Sequence, residues 1–344
     1  MKIGTAESRK GEIAYGRITV GHTMGQFPID IPVVIVEGVE EGPTLLVNAA
    51  IHGAEIIGTL GIHKVLRDID PAEVKGTLLF VPVANQGAFE FDSRATKWDG
   101  EIMNRKGLGE KDGSITEQLA WHLVHDLILK ADAYVDIHSG TQDSYVYYTI
   151  YESEAPNVNP DVMAMSKQMA TAFGLEDVMA DSPWKGGYIE EVMAKGVPSI
   201  VVEIGGGSDF FRHGDEQIET CAQGIRNVAS LMGILDEEIV TESDTVTFWR
   251  GEAEIENDAQ GGILLLNFTY GDYMEEGDVW GVMYDPFTGK ELKRLYAPIS
   301  GTQLPSSVVW PAVKPGDWLS IIGNEMSKEK VEEVLAGFKV RLAS

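Results

Sequence analysis

Three apolar runs in this 344-residue chain each end on a side chain that can bind or serve a metal ion. TLLVNAAI runs into His52 and, three positions on, Glu55; AYVDI runs into His138; PSIVV runs into Glu203. An imidazole and a carboxylate at positions 52 and 55 would share one face of a helical turn. A distant His138 would complete a three-ligand site with a position left for water, the arrangement of a catalytic zinc. His-x-x-Glu also arises by chance, and a single histidine at a strand end is usually structural, so the neighbouring residues matter. Asp136, two residues before His138, can brace a ligating histidine from behind or simply close the strand. Glu203 stands in the otherwise apolar PSIVVEIGGG, where an unpaired buried charge is costly, so it is either paired or used as a base.

The elements that carry these residues read as an α/β fold. Each run is short, rich in Val, Ile, Leu or Tyr and closed by Gly, as buried strands are, and ligands of open α/β sheets gather outside the carboxyl ends of such strands. TLLVNAAI leads into the helical EIIGTLGIHKVLRDI, and GTLLFVPVAN returns as a strand. SITEQLAWHLVHDLILK has helical spacing, with Ser114 as cap and Glu117 three residues later. This alternation predicts a mostly parallel mixed sheet flanked by helices. Residues 1 to 40 read as strands, IPVVIVEG the clearest. His63, His122 and His125 fall on helices as core-edge or partly exposed residues, His22 and His213 fall in loops, and His213 follows Arg212 as a candidate pocket residue.

Near residue 240 the texture changes to short strand-like pieces punctuated by Gly, Pro and Asp. MEEGDVWGVM and AVKPGDWLSII form an approximate repeat that suggests a small β sandwich, and SKEKVEEVLAGFKVRLAS reads as a terminal helix docked by Leu335, Phe338 and Val340. The chain is longer than a single core usually grows, so two units are expected, residues 1–240 and 241–344.

Four ordered blocks carry a resemblance over most of the chain: NAAIHGAEIIG, VPVANQGAFEFDSRATKWDGEIMNR, DGSITEQLAWHLVHDLILKADAYVDIHSG and VPSIVVEIGGG. In these the sequence resembles the succinylglutamate desuccinylase and aspartoacylase family, a branch of the zinc carboxypeptidase-like fold. The resemblance implies His52, Glu55 and His138 as ligands of one zinc ion per chain, and Glu203 as general base and acid. It further implies Arg94 as the group that polarises the scissile carbonyl, and Asn104 with Arg105 as the holders of a substrate carboxylate. The C-terminal part resembles the β barrel-sandwich domain of many members, which is similar to lipoyl carriers. Lys290 in YDPFTGKELK lacks the context of a modifiable carrier lysine, so a lid, spacer or oligomer contact is the expected role. Two stretches depart from the family pattern: KGLGEKDG after the Asn104-Arg105 pair, and Asn85-Gln86 where Asn-Pro is usual.

The residue types suit amide hydrolysis on their own chemistry. At neutral pH that reaction needs a hydroxide-like nucleophile, which zinc provides by lowering the pKa of bound water to about 7. A carboxylate at Glu203 can take the proton and pass it to the departing amine. A guanidinium at Arg94 can favour the developing oxyanion over the ground state, and the planar fork of Arg105 suits a carboxylate. The sequence therefore leads to a deacylase of an N-acylated amino acid or related small molecule. A peptide-cleaving metallocarboxypeptidase and a binding protein without catalysis are the alternatives.

Composition narrows the setting. A net charge of −27 argues against nucleic acid and anionic membrane surfaces as partners, while clustered arginines such as Arg94, Arg105 and Arg212 can still make one pocket receptive to an anion. No apolar run approaches the roughly 18 residues of a membrane span, and the first residues lack the apolar core of a signal peptide, so the cytoplasm is the expected location. Cys221 is the sole cysteine, which excludes an internal disulfide and a thiolate metal cluster, and its helical setting predicts a buried, inert thiol.

Overall fold

A computed structural model describes residues 1–182, 187–207, 210–308 and 311–343, leaving aside the side chains of 210–213. Arg212 and His213, considered above as pocket residues, therefore lie outside the described side chains.

Eleven strands and five helices matter for the site. The strands are β1 (Glu12–His22), β2 (Pro28–Glu37), β3 (Glu40–Ala49), β4 (Lys75–Val81), β5 (Ala133–His138) and β6 (Ser144–Ile150), followed by β7 (Asp177–Asp181), β8 (Ser199–Gly206), β9 (Thr245–Glu256), β10 (Gly301–Val308) and β11 (Trp318–Lys330). The helices are α1 (Ile57–Asp68), α2 (Ile115–His122), α3 (Pro160–Phe173), α4 (Tyr188–Ala194) and α5 (Phe210–Leu231). The strands form one twelve-stranded sheet in the order β1-β2-β4-β3-β5-β8-β6-β7-β9-β11-β10, with Tyr273–Met274 beyond β10. The sheet is mixed. Its parallel pairs lie towards the centre, β4 with β3, β3 with β5, β5 with β8, β6 with β7 and β7 with β9.

Both faces of the central strands are covered, which explains their unbroken apolar runs. On β3, Leu45 and Val47 point into a core shared with α1, α3 and α5 through Ile62, Phe173 and Ile225, whereas Leu46 points into the opposite core against Leu119, Leu123 and Val192. Cys221 is fully buried in the first core, and burial pushes its thiol up to about 12. The capping box expected on α2 is present: the Ser114 hydroxyl accepts from the Glu117 backbone N–H, and the Glu117 carboxylate accepts from that of Ser114. The helix does not continue regularly, because Leu123–Leu127 widens into a π-helical turn. His122 and His125 are structural, held by Asp126 and by the Trp121 carbonyl.

The C-terminal tail differs from the helix read in the sequence. Residues up to Lys330 stay in β11 because they pair with β9, in register from Thr245 opposite Lys330, and only Val331–Val334 is helical. Gly337 then turns the chain at φ +97°, and Val340–Leu342 adds to Ile239–Thr241 as a parallel strand. Leu335 is fully buried as expected, whereas Phe338 is exposed. In the two halves of the approximate repeat, Gly277 and Gly316 hold φ values of +87° and +78°, the left-handed conformation that glycine takes without a Cβ penalty. Strand pairing runs across residue 240, since β9 joins β7 and β10 joins β6. A separate four-stranded sheet covers a core that includes Ile255, Leu264, Trp280, Met283 and Leu319.

Candidate metal centre

The end of β3 is where the first candidate pair is placed. Ala50 turns the chain out of the strand with a positive φ of 53°, a conformation costly for a residue with a Cβ and typical of functional sites. Gly53 then passes so close to Ala88 that a Cβ would lie 2.0 Å from its carbonyl oxygen, so no larger residue fits beside His52. Asn85 secures the same turn: its Nδ2 donates to the Ile51 carbonyl at 3.2 Å and its Oδ1 caps the short helix Gln86–Phe89. His52 and Glu55 lie in a turn closed by the Glu55 N–H donating to the His52 carbonyl, ahead of α1 rather than within a helical turn.

The parallel strands bring the other candidates to the same edge. His138 ends β5 and stands in register beside Glu203 on β8, and Glu203 stands opposite Tyr148 on β6. His52, Glu55 and His138 are 2%, 6% and 4% exposed. His52 Nδ1 lies 2.8 Å from Glu55 Oε1, and His138 Nδ1 lies 2.8 Å from Glu55 Oε2. The two imidazoles are tilted by 57° with centroids 4.9 Å apart, and one ligand atom from each of the three residues falls within 4.8 Å of the others. Two imidazoles and one carboxylate, converging in a buried recess without a thiolate, suit a first-row divalent ion.

The outward side of each imidazole is also held. His138 Nε2 faces Asp136 Oδ2 at 3.0 Å, and Asp136 in turn accepts from Asn48 Nδ2 at 2.9 Å and from the Tyr188 hydroxyl. The Tyr134 hydroxyl donates to Asn48 and lies 3.0 Å from that of Tyr188. Asp136 was legible in the sequence; Asn48, Tyr134 and Tyr188 were not singled out. A polar Asn48 inside TLLVNAAI was the available signal, since the β3–β5 register puts it directly beside Asp136. On the other imidazole, His52 Nε2 lies 3.2 Å from Asn104 Oδ1.

Electrostatics fit a site built for a cation. For Glu55, burial acts upwards, but the two histidines outweigh it and lower its pKa. Burial lowers His52, against the pull of Glu55. Burial opposes the charge on His138 too, yet Asp136 and Glu55 together raise its pKa well above the ordinary value. Burial pushes Glu203 up to about 8, helped by Glu55 and Asp136 and opposed by His138 and Arg94. Glu203 keeps partial solvent exposure, so it can meet water. Arg94 reaches in from a loop, 58% exposed, with Nη1 3.7 Å from Glu55 Oε1. Arg105 follows Asn104 in the turn Met103–Arg105 and is exposed, and its guanidinium pairs with no carboxylate among the described residues.

A family model for the succinylglutamate desuccinylase/aspartoacylase catalytic domain matches residues 41–232, more than half of the chain. The chain belongs to that family. It is accordingly an amidohydrolase of the succinylglutamate desuccinylase/aspartoacylase type. One family relative, the N-alpha-acetyl-L-2,4-diaminobutyric acid deacetylase of Halomonas elongata, is 27% identical over 261 residues, 74% of each chain. The fold recurs in solved structures. A succinylglutamate desuccinylase from Silicibacter sp. TM1040 superposes with TM-score 0.79 at 22% identity, covering 94% of this chain and 100% of that one. The product-bound ectoine utilization protein EutE from Ruegeria pomeroyi gives TM-score 0.80 at 22% identity with the same coverage. Among the described residues no helix is long and apolar enough to cross a membrane.

Proposed function

We propose that this deacylase is zinc-dependent and that it removes the acyl group from an N-acylated amino acid with a free α-carboxylate, N-acetyl-2,4-diaminobutyrate being the first substrate to test. The observation that carries the reading is the buried convergence of His52, Glu55 and His138, with Glu203 in register beside His138. The activity of the Halomonas relative supports the choice of substrate.

In this reading His52, Glu55 and His138 hold the zinc ion, which when bound makes water a nucleophile at neutral pH and polarises a carbonyl oxygen. His138 Nε2–H donates to Asp136 Oδ2, which would leave Nδ1 to the ion once the proton shared with Glu55 is released. Glu203 takes a proton from the attacking water on a carboxylate oxygen. It then gives that proton to the amide nitrogen as the C–N bond breaks, releasing a carboxylic acid and an amine. In the metal-free site burial raises the Glu203 pKa, and a bound cation beside it would draw the value back down, towards a carboxyl that can both take and return a proton near neutrality. The Arg94 guanidinium faces the carbonyl oxygen as it gains charge. Arg105 and Asn104 hold the α-carboxylate, and an exposed guanidinium without an ion pair among the described residues, in a chain of net charge −27, is available for an anion.

Residues 241–344 belong to the proposal as a C-terminal β barrel-sandwich unit that narrows the site, with 1–240 as the catalytic unit. In support, Ser306–Val308 of β10 pairs with Ser144–Val146 of β6, and the Ser306 hydroxyl meets that of Tyr148, the register partner of Glu203, at 3.1 Å. A wall at this position favours a small acyl group over the open groove a carboxypeptidase needs. Hydrolysis of a panel of N-acyl amino acids, set against peptides with the same C-terminal residue, tests the reading. Turnover of the acyl amino acids is expected, and cleavage of the peptides alone would replace deacylation with carboxypeptidase action.

A further inference from the structure

The two imidazoles are held from behind by different kinds of acceptor. Behind His138 stands Asp136, fully buried and locked by Asn48 and Tyr188. Behind His52 stands the amide oxygen of Asn104, at 3.2 Å from Nε2. Asn104 is only partly buried, and it is followed in the chain by Arg105, which has no ion pair among the described residues. With an ion held on the Nδ1 side, where Glu55 stands, Nε2 is the nitrogen that carries the proton, and it would donate to Asn104 Oδ1. The other end of the same amide, Nδ2, has no acceptor among the described residues.

We propose that Asn104 is a positioning residue that couples the grip on a substrate carboxylate to the grip on the metal, through the His52 ring. The proposal rests on the deacylase reading above, in which the carboxylate is held at Arg105. A carboxylate there accepts from Asn104 Nδ2 and draws electron density towards Oδ1, making that oxygen a better acceptor for His52 Nε2–H. Chained hydrogen bonds strengthen one another in this way. The His52 Nδ1 lone pair becomes a better donor in consequence, so ligand and metal tighten each other, and linkage requires the effect to be equal in both directions. Asp136 cannot take part, because its other contacts are buried side chains and not substrate.

The test is the zinc affinity of the full chain, measured by competition with a chromogenic chelator, with and without saturating 2,4-diaminobutyrate or its carboxamide. In wild type the free acid should tighten zinc by about fivefold or more, and the carboxamide should not. Asn104→Ala should weaken zinc about 10- to 100-fold in the absence of ligand and abolish the coupling. Asn104→Asp keeps an oxygen for His52 Nε2, so its zinc affinity should equal or exceed that of wild type, yet the coupling should vanish because the new charge repels the carboxylate. Arg105→Met should lose the coupling without weakening zinc on its own. Circular dichroism of each metal-free variant verifies folding. Wild-type zinc affinity in a folded Asn104→Ala, or coupling that survives in it, overturns the proposal alone. Failure of wild type to bind zinc overturns the metal reading and this proposal with it.

Discussion

Glu203→Gln should separate what the site gives to chemistry from what it costs the fold. The carboxyl has an ordinary pKa near 4.5 and is pushed up to about 8 in the folded chain. Its raised value means that between these limits the native state binds more protons than the unfolded state, so Glu203 makes stability fall as pH rises, and the penalty is complete above pH 8. At ~1.36 kcal/mol per pH unit, the full penalty is at most about 5 kcal/mol, of which about 4 kcal/mol accrues between pH 5 and pH 9. The solvent contact that Glu203 retains reduces it, and about 2–4 kcal/mol is the expected growth. Glutamine has nearly the same shape and cannot ionise. In zinc-free protein the variant should therefore match wild type near pH 5 and exceed it by that margin at pH 9, read from urea midpoints at unchanged m-value. The zinc-loaded variant should lose about 10²- to 10⁴-fold in turnover. A stability gap that does not change with pH would refute the account of Glu203 as a carboxyl desolvated by its recess, and retained turnover would move the base elsewhere.

Three further outcomes follow from the same geometry. Arg105→Met should lose roughly 1.5–3 kcal/mol in kcat/KM for a free-acid substrate and much less for the matching amide, and an unchanged preference would assign the carboxylate to another group. Zinc uptake should release about one proton per ion at neutral pH, because His138 is held protonated by Asp136 and Glu55 and must give up its Nδ1 proton to bind. Calorimetry in buffers of different ionisation enthalpy counts that proton, and a count of zero would contradict the raised pKa. Cys221, fully buried with its thiol pushed up to about 12, should resist a thiol-specific chromogenic reagent in the native state and react once in denaturant, whereas rapid native labelling would contradict its place in the core.

The site was legible where it follows from strand ends. Apolar runs define buried strands, the end of each run fixes where its polar residue emerges, and parallel neighbours emerge at the same edge, so the sequence alone brings His52, His138 and Glu203 together. Contacts that depend on loop path were not legible. Asn104 meets His52 only because the turn Met103–Arg105 is brought back against the end of β3, and nothing in the spacing of 52 and 104 encodes that approach. Tyr188 reaches Asp136 from a helix 52 residues further on. The tail misled for a different reason. Its residues have helical preference, but pairing of β11 with β9 outweighs a preference worth only tenths of a kcal/mol per residue, and the left-handed Gly337 ends what helix remains.

The most direct test of the central claim is zinc-dependent hydrolysis of N-acetyl-2,4-diaminobutyrate by protein stripped with a chelator and then titrated with zinc. Activity should rise linearly to a break at one ion per chain, matched by one bound zinc in elemental analysis. His52→Ala, still folded, should bind none and stay inactive across the titration. Full activity in the stripped protein, or a His52→Ala variant with wild-type zinc content, would contradict the account.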